Sequence, residues 1–163
     1  MGKSTFQGVI RSAGGDTTKT VTPGTVQLVV PFTFDPTAAN TTAVDISSTD
    51  GGDVILPANA VVTEIVANAA ATGGTDPTFD MGWIGVSDAT ELDVDGLVAE
   101  GDADAGASVF NYATATAGDD LGVAMASTQP VRITGGVGAS AGTGGTISGY
   151  IKYHVIDSAR WEA

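Results

Sequence analysis

Val26, Leu28, Val30, Phe32 and Phe34 recur at strict period two in the stretch "TVQLVVPFTF". Alternate side chains of an extended chain point to opposite faces, whereas a helix repeats its apolar positions every three or four residues. The segment therefore specifies a strand with one buried face, and a domain able to cover that face. Pro31 falls on the opposite side and has no N–H to donate, which predicts a sheet edge or a bulge at this strand.

The stretch "VILPANAVVTEIVANAAATGG", residues 54–74, is apolar enough to raise other readings. A bilayer-crossing helix needs about 20 consecutive apolar residues, and Pro57, Asn59, Thr63, Glu64 and Asn68 interrupt this run. A helical stripe of Val61, Ile65 and Ala69 ends in alanine. A strand accounts for more: Val61, Thr63, Ile65 and Ala67 on one side, Val62, Glu64, Val66 and Asn68 on the other, with β-branched residues throughout. "VIL" reads as one short strand and "VVTEIVANA" as the next. Between them "LPANA" forms a corner, because Pro57 fixes φ and Asn59 tolerates turn geometry.

Further strands are expected in "TAVDIS", in "TFDMGWIGV" with Phe79, Met81 and Trp83 alternating against Asp80, Gly82 and Ile84, and in "ASVFNYATA", "DLGVAMAS" and "QPVRITG". The last is "GTISGYIKYHVID", with Ile147, Ile151, Tyr153 and Val155 facing one way. Residues 88–106, "DATELDVDGLVAEGDADAG", break the alternation and read as a long acidic loop. About nine short strands separated by Gly, Pro, Asn and Asp signals, with no long helix, predict an all-β fold: an antiparallel β-sandwich or jelly roll. With 163 residues and no linker-like shift in composition, we expect an extended N-terminal arm over residues 1–20 and a single β-sandwich domain over residues 21–163. Exposed sheet edges favour assembly into a homo-oligomer.

Charge narrows the function. The chain carries 19 Asp and Glu against six Lys and Arg, a formal net charge of −13. Nucleic-acid binding relies on Lys and Arg against phosphate, so no nucleic-acid partner is expected. No membrane partner is expected either, and no apolar secretion signal follows Met1, which points to synthesis in the cytoplasm of the producing cell. With no cysteine, disulfides, thiolate zinc sites and thiol catalysis are excluded. The charge is also unevenly placed. Residues 1–15 contain Lys3 and Arg11 and no acid, a basic arm on an acidic body, with Phe6, Val9 and Ile10 as apolar anchors.

Few residues suggest chemistry. "MGKST" ends like a phosphate-binding loop, but that motif needs a glycine five residues before the Gly-Lys pair, and here only Met1 stands in front. "ELDVDGLVAEGD" places Glu91, Asp93 and Asp95 at alternate positions, Gly96 at a turn and Asp102 last, a spacing that resembles a Ca2+ loop. It departs from one in having Glu first and Asp last. The ordinary reading is a solvated acidic loop, so the expectation is no cofactor, with Ca2+ at Glu91, Asp93, Asp95 and Asp102 as the alternative. His154 is the lone histidine and too isolated for a triad, and carboxylate pairs lack an aromatic cluster to grip sugar. No enzyme activity is expected.

Three segments taken together, "MGKSTFQGVIRS", "GDVILPANAVVTEIVANAAATGG" and "GGTISGYIKYHV", resemble small structural proteins of tailed phages that accompany the major capsid protein. The resemblance covers about half the chain. It implies an extended N-terminal segment before a β-domain, an "ILPANAVVTEI" hairpin, and a virion protein that acts as a head decoration or cement protein on the capsid surface. Such proteins bridge capsomers, commonly as homotrimers, and oppose internal DNA pressure without catalysis. On this reading Lys3, Phe6, Val9, Ile10 and Arg11 form the arm that docks on the major capsid protein. The alternative is another virion component, a tail, fibre or adhesin-like module binding a host surface glycan, and a calcium-dependent or hydrolytic domain stands third.

Overall fold

A computed structural model describes residues 27–36, 52–70, 75–88, 90, 92–104, 106–125, 129–141 and 145–155. The expected arm over residues 1–20 and the expected "TAVDIS" strand lie outside the described residues. Eight strands follow one another: β1 (Leu28–Phe34), β2 (Ile55–Leu56), β3 (Ala60–Ala70), β4 (Thr78–Gly85), β5 (Leu92–Asp102), β6 (Gly106–Phe110), β7 (Val131–Val137) and β8 (Thr146–Val155). No helix occurs among the described residues. The strands form two four-stranded sheets, ordered β1-β8-β3-β6 and β2-β7-β4-β5, and every pairing is antiparallel. The fold is an all-β sandwich.

The predicted alternation of β1 holds at its core half. Phe32 and Phe34 are buried, whereas Leu28, at the open end, is 42% exposed. Among the described residues β1 pairs with β8 alone, so Pro31 sits on an edge strand, where its missing N–H breaks no inner ladder. The two sheets meet through phenylalanine rings. Phe79 of β4 stands edge-on to Phe34 of β1, with centroids 5.9 Å apart, and to Phe110 of β6 at 5.6 Å. Each such pair adds about 0.5–1.5 kcal/mol beyond the area it buries. Around them Ile65, Ile147 and Ile151 from one sheet face Met81, Ile133 and Leu56 from the other, all essentially without solvent contact. Gly135 completes the fit, because a Cβ there would lie 2.8 Å from the Phe34 ring.

The "LPANA" corner forms as expected: Ala60 N–H donates to Pro57 O at 3.2 Å and Asn59 adopts φ 59°. It is not a hairpin, however. β2 pairs with β7 and β3 with β8 and β6, so the corner carries the chain from one sheet to the other. The alternation predicted across β3 also changes phase. Val62 pairs with Tyr153 and Glu64 with Lys152, leaving Thr63 as a bulge. Ala60 and Val62 therefore join Ile65, Ala67 and Ala69 in the core, where a regular strand would have turned Val61 and Thr63 inward.

Two further expectations are corrected. Residues 88–106 are not a long acidic loop, because β5 occupies most of them and pairs along β4. Its pairing slips: from Met81↔Val98 to Trp83↔Asp93 the chain advances two residues on β4 and five on β5. The slip erases period two in the sequence and lets both Leu97 and Val98 be buried. Gly82 permits the close approach, since a Cβ there would stand 1.9 Å from Asp93 O. "DLGVAMAS" is not a strand over its described part. It forms turns with one bridge, Ala124 to Val61, and its Gly122 and Met125 N–H groups donate to Val62 and Ala60 carbonyls at 2.7 and 3.0 Å.

Replacing Phe79 with Ala removes the ring that both sheets share and is expected to cost about 3–5 kcal/mol of stability. Equilibrium denaturation in urea, compared with the parent chain, measures it.

Candidate functional site

The two sheets present different outer surfaces. Cross-strand register on the β1-β8-β3-β6 sheet aligns Pro31 with Tyr150, Tyr150 with Val66, and Val66 with Val109. These residues alternate with the buried Phe32, Ile151, Ile65 and Phe110, so they form one uncharged row across the outside of the sheet. Val109 is 50% exposed and Pro31 is exposed, while Tyr150 and Val66 are half-buried. Beside this row Val29, 58% exposed, aligns with Lys152, which aligns with Glu64. Lys152 Nζ forms an ion pair with Glu64 Oε1 and lies 5.5 Å from the Tyr150 ring centroid. The pair holds the Lys152 ammonium above its ordinary range, mainly through the hydrogen bond to Glu64. On the other side of the row stand Thr33, Ser148, Asn68 and Ala107. Glu64 is the one carboxylate that these four strands carry.

The opposite sheet is acidic. β4 and β5 together carry Asp80, Asp93, Asp95, Glu100 and Asp102, with Asp120 from a following turn beside them. Trp83 Nε1 donates to Asp120 Oδ2 at 2.7 Å, which fixes that carboxylate near Asp93. Burial pushes the Asp93 carboxyl above its ordinary value, and the Asp120 charge adds to the rise. Asp80 is raised as well, first by burial and further by Asp95 and Glu100, although Glu100 N–H donates to Asp80 Oδ1 at 2.8 Å and opposes the shift. At the far end of the ribbon an open groove of about 450 Å³ is lined by Asp76, Glu100, Asp102 and Asp104 together with Val109 and Phe110. Asp76 and Glu100 hold positive φ, 47° and 54°.

The sequence-predicted site residues are distributed as follows. Lys3, Phe6, Val9, Ile10 and Arg11 lie outside the described residues, and so does Glu91. Asp93 is opposite Trp83 near one end of the β4–β5 ladder, whereas Asp102 is opposite Thr78 at the other. The five-residue offset along β4 corresponds to roughly 17 Å. Asp93 and Asp95 stay close, with Asp95 N–H reaching Asp93 Oδ1 at 3.4 Å. Among the described residues no group of three or more His, Cys, Asp or Glu is arranged to hold a metal ion. His154 is half-buried on β8 opposite Val61. The uncharged row was not anticipated from sequence. Its residues occupy the non-core phase of each strand, and only the register shows that they line up.

Neither a protein-family model nor a curated protein matches the chain. Among solved structures, it is similar to a chain of the cyanophage Pam1 capsid asymmetric unit, at 18% identity with a TM-score of 0.37, covering 94% of this chain and 97% of that one.

A carboxyl whose folded pKa exceeds its unfolded value favours folding when protonated, so its contribution to stability falls as pH rises from the ordinary 3.8 through the raised value. Asp93→Asn should therefore raise the melting temperature at pH 7, by on the order of 1 °C for a surface-proximal group. The gain should vanish near pH 3, as thermal melts across that range would show.

Proposed function

We propose that this chain is a virion structural protein that decorates and stabilises a phage capsid, binding the major capsid protein through its N-terminal arm. The observation that carries the reading is the separation of charge from grip. Both described cations are already paired, Arg132 with Asp53 at 3.1 Å and Lys152 with Glu64. Residues 1–26 carry three of the six bases, Lys3, Arg11 and Lys19, against Asp16 alone. A basic and apolar leader on an acidic body suits docking to an acidic protein surface. The phage-like phrases in the sequence support the same reading: "ILPANAVVTEI" builds the intersheet corner with β3, and "GGTISGYIKYHV" builds β8, the strand that β1 and β3 both pair with. They are structural phrases, and their role is to hold a rigid body.

The strand orders 1-8-3-6 and 2-7-4-5 support a jelly roll, the double-sheet architecture that viral capsid domains share with lectins. In this proposal the body is a homotrimer, no catalysis or metal is required, and the arm orders when it meets the shell. Ordering costs about 1–2 kcal/mol per residue. Several arms per oligomer and many copies per shell offset that cost through effective concentration. Main-chain pairing with an exposed shell strand would supply directional contacts in addition.

Deleting residues 1–12 is expected to abolish co-sedimentation with undecorated shells while circular dichroism and melting temperature stay those of the parent. Retained shell binding would contradict the reading.

A further inference from the structure

Residues 116–125 cross the flank of the sandwich between β5 of one sheet and β3 of the other. On the β5 side Ala99 N–H donates to Thr116 O at 3.0 Å, Gly118 N–H to Leu97 O at 3.2 Å and Asp120 N–H to Gly96 O at 2.8 Å. On the β3 side the Gly122 and Met125 N–H groups reach the Val62 and Ala60 carbonyls. The segment carries Leu121 and Met125 inward, each 3% exposed. Its approach to β5 is main chain to main chain, since a Cβ at Gly118 would lie 2.2 Å from Asp95 O and from the Gly96 carbonyl carbon. That spacing leaves no room for water or an ion between the two backbones.

This closure forces like charges together. A Cβ at Gly96 would stand 2.9 Å from both Asp93 Oδ2 and Asp120 Oδ2, so the two oxygens are separated by no more than twice that distance. Asp95 lies on the same stretch of β5, and Asp119 on the same turn as Asp120. Trp83 Nε1–H, which donates to Asp120 Oδ2 at 2.7 Å, carries no charge. The chain has no Lys, Arg or His between Lys19 and Arg132, and the described Lys and Arg side chains, Lys152 and Arg132, are engaged by Glu64 and Asp53. Among the described residues, therefore, no fixed positive charge stands at this flank, and screening falls to mobile cations. We propose that residues 116–125 form an ionic-strength-sensitive strap, closed across the flank in salt and released locally, with both sheets intact, when screening is lost. The backbone contact at Gly118 lets the strap relieve the repulsion only by breaking its few bonds to β5. The sheets are held by continuous ladders and a shared core, so the strap is the part that opens first. The inference is independent of the capsid reading.

Amide hydrogen exchange on the full chain at neutral pH tests this by comparing about 10 mM with about 1 M sodium chloride, between which the screening length falls from roughly 30 Å to roughly 3 Å. The Gly118, Asp120 and Gly122 amides should exchange roughly tenfold faster at low salt, and those of the β3–β8 ladder should change far less. Tetramethylammonium chloride should protect the strap as well as sodium chloride does, because screening needs no bound ion. Asp120→Asn keeps an oxygen for Trp83 Nε1–H and removes one charge, so its strap amides should lose the salt dependence, and Asp93→Asn should do the same from the β5 side. Salt-independent exchange of the strap in the parent chain would overturn the proposal. So would a loss of protection spread equally through β8, or protection given by calcium and not by sodium. These outcomes are read on the parent chain alone, so a variant that fails to fold leaves the test intact.

Discussion

Phe79 stands edge-on between Phe34 and Phe110, and through that contact two sheets become one body. Each sheet alone would expose an apolar face, and a four-stranded sheet so exposed would associate indiscriminately. Joined through the rings, they bury those faces in each other. The outer surfaces are then released from any duty to the core, and they differ. The strands of one sheet carry no Asp, Glu, Lys or Arg apart from the matched Lys152–Glu64 pair. The other carries Asp80 and Asp93, whose carboxyls are held above their ordinary value first by burial and further by neighbouring carboxylates.

Legibility in the sequence followed the regularity of the ladders. Where pairing runs without a slip, as between β1 and β8, period two reports the strand and its core side, and Phe32, Phe34, Ile147 and Ile151 are buried as expected. Where one residue is inserted, at Thr63, the strand was legible but its inner face was not. Where three extra residues enter β5 between Trp83 and Met81 partners, the strand itself was hidden, and its carboxylates made it look like a loop. The "LPANA" corner was legible as a turn from Pro57 and Asn59. Whether a turn closes a hairpin or passes between sheets depends on partners distant in the chain, here β7 and β8, which no local pattern encodes.

The site was legible to a lesser degree, for a similar reason. The charge contrast between leader and body can be counted in the sequence. The row on the outer face cannot, because Pro31, Val66, Val109 and Tyr150 each read as an ordinary outward residue of its own strand. They become a surface only through three registers acting together. The calcium-like spacing illustrates the opposite case. Its logic required a curling backbone, whereas Asp93 and Asp102 belong to a strand that carries them toward opposite ends of a ladder.

A residue-resolution electron cryomicroscopy map of phage shells incubated with this protein tests the proposed decoration most directly. If the proposal holds, density for the N-terminal arm lies on the coat protein. A map in which that arm touches only its own subunit, or in which no shell carries the protein, would contradict it.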